Sequence, residues 1–239
     1  VILHACSAGE ICLEAEDENG GLFSSAYQRM LAKARAAGDE VDFAELADGV
    51  RTDVTNYVRL NKLDRQTPTI VGTLEPSKLS VSGRKVIAIT VGVDRNADPD
   101  YPPLRFAASD ARRVGTELRQ WGADVRQLTG KVGEEDAATK AKILAAIEQA
   151  VLENASVLFV HFAGNGIQDP QTLKQSLLPA DGRLDVPASL LQVEELQTAL
   201  TPFPGTVILS IDACRSDSPV AAVASDKSPA PPAPPPSPR

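Results

Sequence analysis

The sequence predicts an α/β protein: a largely parallel sheet with helices on both faces. Three observations carry this. From residue 85 onward, apolar strand-like runs alternate with helical segments, which implies right-handed crossovers between parallel strands. Those runs are rich in Val and Ile and lack polar–apolar alternation, the pattern of strands covered on both sides. The chain has 239 residues, 43% hydrophobic and 23% charged, enough for one sizeable core or for a domain with a subdomain.

The elements follow in order. VILHAC at the start is a short apolar run suited to a buried strand. A polar loop, GEICLEAEDENGG, leads into LFSSAYQRMLAKARAAG, where Leu22, Tyr27, Met30 and Leu31 have helical spacing and Gly38 ends the helix. A second helix is expected from Phe43 to about Val58, with Leu46, Val50 and Val54 on one face. Residues 73–83 carry Pro, Ser and Gly and read as a linker between two blocks. KVIAITVGV (85–93) is a β-branched strand, and SDARRVGTELRQWG a helix that Ser109 is placed to cap. DVRQLTG is a second strand, and DAATKAKILAAIEQAVLEN a helix with Ile143, Ala146, Ile147 and Val151 inward. SVLFVHFAG (156–164) is a third strand, VEELQTALTPF a helix, and TVILSIDAC (206–214) a fourth strand. Residues 218–239, rich in Pro, Ala and Ser, cannot bury a core and are expected to be a disordered or polyproline-type tail, either a solvated linker or a ligand for SH3- or WW-type domains.

Charge and composition exclude several classes. The net charge is −8 with no basic stripe, which argues against nucleic acid and leaves basic polypeptides or cations as the partners drawn to the surface. No apolar run is long enough to span a membrane. The three cysteines, Cys6, Cys12 and Cys214, are an odd number without a secretory signature, so a disulfide framework is not expected. The two histidines, His4 and His161, do not combine with them at zinc spacing. The chain begins with Val1 rather than Met, so a piece of a longer protein is expected.

Open α/β sheets place their sites at the carboxyl ends of strands. Two such ends stand out: HFAGNGIQ and IDACRSDS. A cysteine past a strand end can be activated as a nucleophile. Taken alone, Cys214 reads more often as a small buried apolar residue. Gly164 and Gly166 allow a tight turn and close approach of backbone to substrate.

The order of motifs alters that balance. VGVDRN, PLRFAASDARRV, VRQLTG, FVHFAGNGIQ, LLPADG and ILSIDACRSDS occur in sequence. Together they resemble the p20 region of caspase-fold peptidases, metacaspases and their bacterial relatives in particular, over about residues 84–217. ILHACSAGEICLE, GGLFSSAYQRML, DFAELADGVRTDV and RQTP resemble the p10 region of the same family over residues 1–72. The p10-like part comes first, an order similar to that of type III metacaspases. The resemblance implies a caspase-like three-layer sandwich with a mostly parallel six-stranded sheet.

The resemblance also implies roles. Cys214 corresponds to the nucleophile of a cysteine endopeptidase, and Gly166 to a backbone N–H that helps hold the oxyanion. Asp110 and Asp212 correspond to acids of the pocket for the residue before the scissile bond, favouring Arg or Lys there. Read without the resemblance, Asp110 is a helix-start charge and Asp212 a strand-end loop residue. Where the family carries its histidine base, this chain has Asn165, which has no titratable nitrogen. The chain is therefore either an endopeptidase of low activity or an inactive relative that binds peptides or regulates a partner. His161 reads as a packed strand residue and His4 as a remote substitute base. Cys6 reads as structural, on the strand beside that of Cys214, and Cys12 as a loop residue without catalytic meaning. No cofactor is firmly indicated. Calcium stays open through Asp181, Asp185 and Glu194, although the acidic pair expected before Glu195 reads Val193-Glu194.

Overall fold

The computed structural model describes residues 1–15, 17–38, 40–72 and 83–215, with the backbone of 78–80. The tail expected over 218–239 lies outside the described residues. The first part of the chain holds β1 (Ile2–His4), β2 (Glu14–Ala15), β3 (Gly20–Gly21), α1 (Leu22–Ala37), β4 (Glu40–Asp42), α2 (Phe43–Asn61), β5 (Thr69–Val71) and β6 (Lys78–Ser80). The second holds β7 (Val86–Gly92), α3 (Ala107–Gln120), β8 (Asp124–Leu128), α4 (Lys140–Leu152), β9 (Val157–Ala163), β10 (Gly166–Gln168), β11 (Gln175–Leu177), β12 (Leu191–Gln192), α5 (Val193–Leu200) and β13 (Thr206–Asp212).

The main sheet has six strands in the order β5-β1-β13-β9-β7-β8. All pairs are parallel except β5 with β1. β1 and β5, both before residue 72, continue the sheet beside β13 at the far end of the chain, so the two parts share one sheet and the strand before Cys6 lies beside that before Cys214. Lys78–Ser80, inside the segment expected to be a linker, pairs antiparallel with β4.

Side-chain alternation divides the sheet into two packed faces. Leu3, Val86, Ala88, Phe159 and Ile208 point to one face and meet Phe23, Tyr27 and Leu31 of α1, Phe43 and Leu46 of α2, and Val114 and Leu118 of α3. Ile87, Ile89, Leu158, Val160, Leu209 and Ile211 point to the other and meet Ile143 and Ile147 of α4 and Leu196 and Leu200 of α5. The result is helix layer, sheet, helix layer, with strands buried on both sides as their composition requires.

Local chemistry sets the helix ends. Asp42 caps α2, accepting from the N–H groups of Ala44 and Glu45, and Lys62 closes that helix in a left-handed conformation (φ 54°). Thr139 caps α4 by accepting from Lys142 N–H. The expected cap of α3 is corrected. That helix starts at Ala107, and the Ser109 hydroxyl inside its first turn donates to the Phe106 carbonyl (2.8 Å). The free N–H of Ala108 is met from outside by Asp94 (2.8 Å). Three strands that no sequence pattern marked, β10, β11 and β12, form a small antiparallel sheet directly after the turn that carries Asn165.

Candidate active site

β13 ends at Asp212, so Cys214 projects just past the carboxyl end of a central strand. Its thiol lines a pocket of about 210 Å³ together with Cys12, Glu14, Asn165, Asp110 and Asp212. The loop after β1 clamps the backbone of Arg215, the residue after Cys214. Arg215 N–H donates to the Glu10 carbonyl (3.0 Å), and Gly9 N–H donates to the Arg215 carbonyl (2.8 Å). The loop is itself anchored from within: the buried Gln66 accepts from Leu13 N–H (2.9 Å) and donates to the Ala5 carbonyl (3.1 Å).

This clamp brings the Cys12 N–H to 3.2 Å from Cys214 Sγ. Hydrogen bonding from Cys12, first from its thiol and then from its N–H, holds the Cys214 thiol below its usual range against the effect of burial, whereas burial pushes the Cys12 thiol well above it. Cys12 is therefore not the uninvolved loop residue that the sequence suggested. It supplies a donor to the sulfur of the candidate nucleophile.

Asn165 sits in the turn between β9 and β10, buried beside the same pocket. Its carbonyl accepts from Leu178 N–H (2.9 Å). Its side-chain Nδ2 finds no partner among the described residues. Gly166 opens β10 hard against Cys214, since a β-carbon built there would lie 2.7 Å from the Cys214 carbonyl oxygen. Only a residue without a side chain allows that approach.

The acids form the opposite wall. Gly21 N–H donates to Asp110 Oδ2 (2.9 Å), and Arg113, three residues along α3, pairs with Oδ1. Asp212 Oδ2 accepts from Ser24 N–H (3.1 Å) and from the Ser24 hydroxyl (2.5 Å). Gly21 separates the two carboxylates: a β-carbon there would lie 2.9 Å from Asp212 Oδ2 and 3.2 Å from Asp110 Oδ2. Burial pushes Asp212 up to about 7, helped by the charge on Asp110. Burial also raises Asp110, to about 6, although Gly21 N–H and Arg113 oppose it. Glu14 adds a third carboxylate to the wall, held by the N–H groups of Arg105 (3.2 Å) and Phe106 (3.3 Å). Sequence reasoning missed both Glu14 and Cys12. The signal was the ICLE segment of the p10-like motif, which marks the loop without saying what it touches.

The histidines are elsewhere. His161 is buried within β9, its ring between the hydroxyls of Ser210 (3.1 Å) and Ser24 (3.4 Å) and stacked on Tyr27. Burial lowers it to about 3, so it is a neutral packed residue. His4 is outside the pocket lining, and burial with the nearby Arg215 lowers it to about 4. The calcium candidates do not come together. Asp181 accepts from Lys140 N–H at the start of α4 (2.8 Å), Asp185 is paired with Arg183, and Glu194 lies in the first turn of α5. Among the described residues no group of three or more His, Cys, Asp or Glu side chains is placed to hold a metal. These three carboxylates do not fit a calcium cradle.

Comparison with known proteins adds to this geometry. Among solved structures, the chain is similar to protein GSU0716 from Geobacter sulfurreducens at 25% identity and a TM-score of 0.45, with 57% of this chain and 53% of that chain covered. It thus spans about half the length of that protein. No curated protein matches the chain. Residues 85–235 match the caspase domain family of peptidases, Peptidase C14. With a strand-end cysteine on a helix-flanked, mostly parallel sheet, this chain belongs to that family.

Proposed function

We propose that this caspase domain is a metacaspase-type cysteine endopeptidase that holds an Arg or Lys side chain in the Cys214 pocket, and that Asn165 slows its chemical step. The observation that carries the reading is the sharing of one pocket by Cys214 and the buried carboxylates of Asp110 and Asp212. A basic side chain entering between those acids would favour their charged forms and gain charge-assisted hydrogen bonds. The scissile carbonyl of such a peptide would then face Cys214.

The thiolate attacks that carbonyl, forming a C–S bond, and the oxyanion is met by backbone N–H groups at Gly166 and Cys214. The step that suffers is departure of the amine, which needs a proton as its C–N bond breaks. An imidazole would supply it, whereas the Asn165 amide cannot act as an acid or base. Loss of that group costs on the order of 10²–10⁴ in rate. The Cys12 N–H keeps part of the thiolate available without a base.

Asn165 favours a second reading: a domain that binds basic peptides without turning them over and acts on a partner through that grip. Cleavage of a fluorogenic Arg-terminated peptide separates the two, measured on wild type, Cys214→Ala and Asn165→His. The endopeptidase reading expects slow turnover that Cys214→Ala abolishes and Asn165→His raises. Equal rates for wild type and Cys214→Ala, with the peptide still bound, would establish the binding module instead. Failure of every form to bind the Arg peptide would sink both.

A further inference from the structure

The three cysteines of this chain meet at one point. Cys12 Sγ lies 3.4 Å from Cys6 Sγ, and the Cys12 N–H lies 3.2 Å from Cys214 Sγ. Cys214 is distant in sequence from the other two, and the β1–β13 pairing together with the clamp of residues 9–10 on Arg215 brings it to them. Their accessibilities are graded. Cys214 and Cys12 line the open pocket, while Cys6 is fully buried behind them, its thiol donating to the carbonyls of Glu10 (3.4 Å) and Ala213 (3.6 Å).

We propose that Cys6 and Cys12 form a thiol relay that removes oxidative damage from Cys214. The reactant is a hydroperoxide that enters the pocket. The Cys214 thiolate attacks its terminal oxygen, the O–O bond breaks, and Cys214 becomes a sulfenic acid with release of water or an alcohol. The Cys12 sulfur then attacks the Cys214 sulfur, expelling hydroxide that leaves as water with the Cys12 proton, and a Cys12–Cys214 disulfide results. Cys6 attacks Cys12 in turn, its proton passing to solvent and replacing the one taken up by the oxygen that left the hydroperoxide, and Cys214 departs as a thiolate, ready again. The net change is oxidation of two thiols to a Cys6–Cys12 disulfide and reduction of one hydroperoxide. An external thiol resets the pair.

Two features favour the last exchange. Cys6 already contacts Cys12 at a distance that small side-chain rotations close to a bond. Of the two sulfurs flanking Cys12, Cys214 is the one held by a backbone N–H and kept below its usual range, so it is the better leaving group. The relay does not depend on peptide hydrolysis, and its failure would leave the endopeptidase reading untouched.

The test is oxidation of the reduced full chain with hydrogen peroxide at neutral pH, alkylation of free thiols, and mass spectrometry of a non-reduced digest. Cleavage after Glu10 puts Cys6 and Cys12 on separate peptides, so their disulfide is read as a cross-link. Wild type is expected to give that cross-link with Cys214 recovered as a free thiol. Cys6→Ser is expected to stop at a Cys12–Cys214 cross-link. Cys12→Ser is expected to form neither and to carry Cys214 on to sulfinic acid at least tenfold faster than wild type. Cys214→Ala should slow the Cys6–Cys12 cross-link at least tenfold. The wild-type digest decides by itself if a variant fails to fold. Cys214 driven to sulfinic acid without any cross-link would overturn the relay, as would an undiminished cross-link in Cys214→Ala.

Discussion

Burial and the neighbouring Asp110 push the Asp212 carboxyl up to about 7, whereas in the unfolded chain it ionises near the ordinary carboxylate value of 3.8. The folded state therefore binds this proton more tightly than the unfolded state, and the contribution to stability falls as pH rises between those two values. Asp110, raised to about 6, acts in the same direction over a narrower window. Asp212→Asn keeps an acceptor for Ser24 N–H and removes the titration. The melting temperature of this variant relative to wild type should be highest at pH 8 and should shrink, by roughly several degrees, towards pH 4. A difference that does not change with pH would show that Asp212 ionises normally. The same shift predicts that an Arg peptide binds more tightly at pH 8 than at pH 5.5, because the acids must be charged to grip it. Titration calorimetry at the two pH values checks this. Cys214, Asn165, Asp110 and Asp212 were picked out in the sequence through the family resemblance, which maps each onto a strand-end or helix-start motif, and the structure gathers all four around one pocket. Cys12 and Glu14 were not picked out, since their contacts with Cys214 and with the N–H groups before α3 are made only after the chain has folded.

At the scale of elements, the long helices were readable from periodicity and the three central strands β7, β9 and β13 from their unbroken apolar, β-branched runs, with ends within a few residues. What escaped were strands of two or three residues, such as β2, β3 and β12, which are too short to show any period. β5 escaped for a related reason: it is an antiparallel edge strand with Ile70 and Val71 exposed, so burial leaves little mark on its composition. The small sheet β10-β11-β12 matters because it braces the turn with Asn165 against the end of β13. Gly166→Ala should drive β10 away from the Cys214 carbonyl, since that carbonyl is backbone and cannot rotate aside. We expect a stability loss of about 1–3 kcal/mol by urea denaturation, together with slower alkylation of Cys214 by iodoacetamide. An unchanged alkylation rate would mean that the turn does not position the thiol.

Across the whole molecule, the two stretches that read as separate blocks share one core. Phe43 of α2 packs on Phe159 of β9 with ring centroids 5.6 Å apart, and Trp121 after α3 meets the same ring edge-on at 6.2 Å. The resemblance already implied one sheet built from both parts, but not which side chains join them. Periodicity says which face of an element is buried, and it does not say against what. Unfolding should accordingly be a single transition, with Trp121 fluorescence and far-UV circular dichroism coinciding in denaturant. Phe43→Ala should cost about 3–5 kcal/mol although it lies far from Cys214. Two resolved transitions would mean that the halves fold independently.

The grip of Gly21 and Ser24 on Asp110 and Asp212 has a consequence for assembly. The acids come from the second half of the chain and the groups that orient them from the first, so the pocket is a seam between the halves. Anything that binds there binds the join and not either side. Produced as separate chains, residues 1–72 and 83–215 should associate more tightly when an Arg peptide is present, by roughly 2.7 kcal/mol at a hundred times its Kd. A basic peptide would then act on this fold as a fastener, and occupancy of the pocket could be followed through association of the two pieces without any bond being cut.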